Sequence, residues 1–75
     1  MEDLMTDLRY ISNPMLWVSL ACPLKRMKDR RWEFAYMIGD GPNIYWGNMW
    51  GMSSEDRKEA FASYEDIIAQ GWEVD

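Results

Sequence analysis

The chain has 75 residues, a formal charge of −5, 48% hydrophobic and 15% aromatic residues, one cysteine and no histidine. That length suits one small domain spanning 1–75, about 11 Å in radius of gyration, and the apolar content is too high for a disordered chain. Without imidazole, Ser-His-Asp and Cys-His nucleophiles are excluded, and lone Cys22 supplies neither an internal disulfide nor a zinc site. The remaining carboxylates and lysines are scattered, so no enzyme activity, metal or cofactor is expected.

The N-terminus is acidic where a secretory signal would be basic. The longest apolar stretch, residues 15–22, is broken by Ser19 and is far short of the roughly 20 residues a membrane span needs. A soluble cytoplasmic protein is expected, with no membrane partner (the host cell's cytoplasm, if viral).

Residues 2–12 predict a short helix, with Leu4, Leu8 and Ile11 on one stripe widened by Met5, and Glu2 and Asp3 favoured by the helix dipole. Asn13-Pro14 stops it. Residues 15–22 predict a strand with Leu16, Val18, Leu20 and Cys22 on one face, closed by Pro23. Residues 24–31 follow as a basic connection. From 31 to 38 the alternation is clean: Trp32, Phe34, Tyr36 and Ile38 oppose Arg31, Glu33, Ala35 and Met37.

Residues 39–43 predict a turn with glycines at positive φ. Residues 44–50 predict another strand, with Trp46 and Trp50 on one face. Ser53 or Ser54 is placed as the cap of a helix running to Gln70, with Glu55 and Asp56 in its first turn. Along it Ala60, Phe61, Tyr64, Ile67 and Ile68 share a face. Gly71 turns the chain out, so that Trp72 and Val74 pack back as a short further strand. The expected architecture is α+β: a three-stranded antiparallel meander, with an N-terminal short helix and a C-terminal helix on one face.

The charges are segregated. Lys25, Arg26, Lys28, Arg30 and Arg31 hold five of the eight cations, while from Glu55 onward seven acids face Arg57 and Lys58. A basic loop suits phosphates; an acidic helix carrying Glu55, Asp56, Glu59 and Asp66 suits a basic partner. The plainer alternative is that both are solvated surfaces. Five Trp, four Tyr, two Phe and seven Met exceed what a core this small encloses, and such residues are enriched at protein interfaces. Trp17, Trp32 and Trp72 are assigned to the core. Trp46 and Trp50, with Tyr45 and Met52, are assigned to an exposed patch flanked by Gly47 and Gly51. Cys22 is expected to be a buried, inert thiol.

On class alone, a short acidic chain with surplus aromatics looks like the small inhibitors of phages and mobile elements. The leading expectation is a protein-binding module that sterically blocks a site on a larger protein or complex. The alternatives are nucleic-acid binding through residues 25–31 and a structural homodimer joined by the aromatic patch.

Overall fold

The computed structural model describes residues 4–17 and 19–75. Helix α1 (Leu4–Ile11) ends ahead of the Asn13-Pro14 stop. Asn13 Oδ1 then accepts a hydrogen bond from the Met15 amide at 3.3 Å and starts a 3₁₀ turn over Pro14–Leu16. Glu2, Asp3, the side chains of Leu4 and Met5, and Val18 lie outside the described residues.

The strand expected over 15–22 does not form. Trp17 donates its indole N–H to the Tyr10 carbonyl at 2.9 Å, which ties this segment back to α1. The first strand, β1 (Cys22–Lys28), is instead built from residues read as a basic connection. It pairs antiparallel with β2 (Arg31–Met37), in a register running from Cys22 opposite Met37 to Lys28 opposite Arg31. Between them Asp29 and Arg30 have φ of 53° and 65°, the double positive φ of a two-residue type I′ hairpin turn.

Strand β3 (Asn43–Trp46) returns against β2, with Ala35 opposite Trp46 and Tyr36 opposite Tyr45. It stops four residues short of the expected strand over 44–50, because Asn48 caps a 3₁₀ turn at Met49–Gly51. The expected helix from Ser53 also fails to propagate. Its first turn forms: the Ser53 hydroxyl accepts from Glu55 N and the Asp56 carboxylate accepts from Ser53 N, both at 3.1 Å, as in a capping box. The chain then leaves that turn, because Trp46 N bonds the Arg57 carbonyl at 2.8 Å and draws strand β4 (Lys58–Ala60) onto β3.

Helix α2 is confined to Tyr64–Ala69, capped by Ser63 through the Asp66 amide. Gly71, at φ 93°, turns the chain into β5 (Glu73–Val74), which pairs with β1. The sheet therefore has five strands in the order β4-β3-β2-β1-β5, rather than three.

Alternation along the ladder divides the sheet into two faces. One carries Cys22, Leu24, Ala35, Met37 and Ile44, which close on Ile11 of α1, Ile67 of α2 and Trp72 to form the core. The core thus takes the Ala35/Met37 side of β2. Trp32 belongs to the opposite side and is 51% exposed, which corrects its assignment to the core. Trp72 is buried as expected, and Trp17 is half-buried against the same cluster.

Candidate interaction surface

The face turned away from the helices carries Lys25 and Met27 of β1, Trp32, Phe34 and Tyr36 of β2, and Tyr45 of β3, by register. Its two halves differ. Over the half containing Tyr36, residues 47–57 fold back as a strap. Met49 packs on Tyr36 and Ala21, and Asp56 accepts from the Tyr36 hydroxyl at 2.6 Å. Gly47 makes room for this: its φ is 142°, and a Cβ there would meet the Asp56 carboxylate at 3.2 Å. Tyr45 stacks on Tyr36 with centroids 5.6 Å apart and donates its hydroxyl to Asp40 at 2.6 Å.

The other half is uncovered. Met27 opposite Trp32, and Phe34 two residues on, are 54%, 51% and 48% exposed. Trp50, on the 3₁₀ turn of the strap, is 82% exposed. It meets Phe34, Pro23 and Met49 around a shallow cavity of about 120 Å³, which joins the strap to the open half of the sheet. Met27, Trp32, Phe34 and Trp50 thus form one apolar surface. Lys25 sits 5.4 Å from the Trp32 ring centroid and is ion-paired to Asp75 at 3.6 Å.

The residues expected to form a Trp46/Trp50 patch are not on one strand face. Trp46 ends β3 on the helix side, half-buried and edge-on to Trp72 at 5.1 Å. Its indole N–H donates to Glu59 at 3.0 Å, and the Arg26 and Arg57 guanidinium groups lie 5.3 and 4.9 Å from its ring. Tyr45 is half-buried under the strap. Of the expected patch, Trp50 and Met52 are the exposed members.

The basic run is likewise divided. Arg26 is a structural residue: it lies 4.5 Å from the Trp72 ring, bonds Glu33 at 2.6 Å and donates to the Gln70 carbonyl at 3.0 Å. Lys28 and Arg31 spring from the helix side of the ladder and Arg30 sits in the turn, so the run is not a loop. The acids do not share a helix face either. Glu55 is exposed, Asp56 holds the strap, Glu59 on β4 holds Trp46, and Asp66 lies in the first turn of α2.

Met27, Trp32 and Phe34 were missed as surface residues. The alternation over 31–38 did place Trp32 and Phe34 together. The two-residue turn at Asp29-Arg30, which contains no glycine, is what adds Met27 opposite Trp32.

Burial pushes the Tyr36 hydroxyl up to about 12, with the Asp56 hydrogen bond adding to it. The hydrogen bond to Asp40, then burial, raises Tyr45 as well. Burial, reinforced by the nearby Asp7 charge, pushes the Cys22 thiol up to about 12, leaving it protonated at neutral pH and a poor nucleophile. No helix among the described residues is long and apolar enough to cross a membrane. Neither protein-family models, nor curated proteins, nor solved structures yield a match to this chain.

Proposed function

We propose that this chain is a small protein-binding module that blocks a functional site on a larger partner with the open face of its sheet. The observation that carries this reading is the placement of Met27, Trp32, Phe34 and Trp50, all about half exposed or more, on one continuous surface. Tryptophan, phenylalanine and methionine clustered without a covering element are the residues that anchor protein interfaces. Exposed apolar patches of this kind mark interaction sites in soluble domains.

The register favours a protein over a nucleic acid. Single-strand binding needs rings for the bases and cations for the phosphates along the same groove. Here Arg26, Lys28 and Arg31 spring from the side opposite to Trp32 and Phe34, and Lys25, which shares their face, is neutralised by Asp75. Small size, acidic charge and a one-faced anchor suit an inhibitor of the phage or mobile-element kind acting in a cytoplasm.

Affinity capture from the source cell tests this, using the wild-type chain and a Trp32→Ser/Trp50→Ser double variant with an unchanged circular dichroism spectrum. The wild type should retain a protein that the variant loses, and neither should bind an oligothymidine. Equal capture by both, or oligothymidine binding that falls steeply with salt, would contradict the proposal.

A further inference from the structure

We infer that the open face binds a basic protein surface, one of whose arginine side chains enters the cavity between Phe34 and Trp50 and meets the Asp75 carboxylate. This inference rests on the reading of that face as an interface and names the chemistry of its partner.

Charge carries the first part, because the open side is acidic as well as aromatic. Glu73 lies directly opposite Lys25 on the ladder, is exposed, and makes no ion pair among the described residues. Asp75, two residues on and on the same side, pairs with Lys25 at 3.6 Å. The strap adds Glu55 and Asp56, while Arg57 at its end turns to the Trp46 ring on the helix side. Lys58 is matched by Asp40 at 3.7 Å. The cations of the hairpin, Lys28 and Arg31, lie on the helix side of the ladder, and Asp29 offsets Arg30 in the turn. Asp40, Glu55, Asp56, Glu73 and Asp75 thus face only Lys25 and Lys58, on a chain of formal charge −5. An acidic excess around an aromatic patch selects a partner surface of the opposite sign and steers its approach. It disfavours phosphate-bearing ligands and a second copy of the same face alike.

Geometry carries the second part. Phe34, Trp50, Met49, Pro23 and Asp75 line a cavity of about 120 Å³, well above the roughly 10–15 Å³ that one water needs. A guanidinium stacks on ring faces and donates in a fork to a carboxylate. The fold already holds its own arginine in this way. Arg26 lies 5.3 and 4.5 Å from the Trp46 and Trp72 ring centroids and bonds Glu33 at 2.6 Å. Lys25 repeats the pairing in part, 5.4 Å from the Trp32 ring centroid and against Asp75. Phe34, Trp50 and Asp75 present the same two kinds of group to solvent, and the Asp75 side chain stays 44% exposed beside Lys25.

Titration of the isotopically labelled chain at low salt tests the inference by NMR. The probe is an acetylated, amidated hexapeptide alternating arginine and leucine. It should shift the Trp50 indole N–H and the amides of Phe34 and Asp75, with a dissociation constant on the order of 1 mM or below. Its counterpart with citrulline in place of arginine should bind at least about fivefold more weakly. A Glu73→Gln/Asp75→Asn variant with an unchanged circular dichroism spectrum should weaken the arginine peptide by a similar factor, and Lys28→Ser should leave it within about twofold. No binding, equal binding of the citrulline peptide, or equal binding by the acid-free variant would overturn the inference. So would Trp50 shifts produced by oligothymidine, by phosphatidylglycerol vesicles or by self-association in place of the arginine peptide. A captured protein lost on Trp32→Ser/Trp50→Ser yet held equally by Glu73→Gln/Asp75→Asn would sink this inference alone and leave the proposed function standing.

Discussion

The two faces of the sheet share the same backbone ladder and the same alternation of side chains, yet only one of them is closed. On the helix side Leu24, Met37, Ile44 and Ile67 are essentially inaccessible, and even a cation, Arg26, is held between two tryptophan rings and a carboxylate. On the other side the strap covers Tyr36 and stops, leaving Met27, Trp32 and Phe34 bare. Folding stability comes from the first face and from the strapped half of the second. The open half contributes little to it, and substitutions should separate the two.

The largest effect belongs to Leu24→Ala. Removing a side chain that is 1% exposed should cost about 2–5 kcal/mol. The whole margin of a domain this size is only about 4–11 kcal/mol, so urea denaturation should show a protein close to its limit. An unchanged midpoint would place Leu24 outside the core.

Alkaline pH should come next. Cys22 and Tyr36 each hold their proton more tightly folded than unfolded, with ordinary values of 9.0 and 10.0 both pushed up to about 12. A raised value in the folded state contributes stability that is complete below the ordinary one and is lost as pH rises towards the folded one. Stability should therefore hold up to about pH 9 and then fall towards 12, by at most about 1.4 kcal/mol per pH unit for each group. Cys22→Ala should remove the earlier part of the fall in denaturation curves taken across that range.

Tyr36→Phe isolates the strap. Loss of the hydroxyl bonded to Asp56 should cost about 1–2 kcal/mol and speed amide exchange at Met49. Exchange left at the wild-type rate would mean that the strap is held by other contacts. The smallest effect is expected for Trp32→Ala, within about 1 kcal/mol by denaturation at low concentration.

Legibility in the sequence follows from how local each device is. The stop at Asn13-Pro14, the alternation over 31–38, the glycine-bearing turn after it and the return of Trp72 and Val74 beyond Gly71 are set by neighbours, and all are found. The strand at 22–28 was hidden because Lys25, Arg26 and Lys28 look like solvated charge. Arg26 is accommodated by Glu33 across the hairpin and by Trp46, Trp72 and Gln70, which are distant in sequence. At 53–56 the local bonds of a helix start are present, and pairing of Arg57 with Trp46 overrides them. Of the surface, Trp50 and Met52 were legible as exposed. Which side of β2 would be covered was not, since alternation pairs Trp32 with Phe34 without saying which face the helices take.

The most direct measurement is the dissociation constant of the captured partner for Trp32→Ala and for wild type, taken beside the unfolding free energy of each. Affinity should weaken at least about thirtyfold, or about 2 kcal/mol, while stability moves by less than about 1 kcal/mol. Unchanged affinity, or an affinity lost only as far as the variant unfolds, would contradict an open face that serves binding rather than folding.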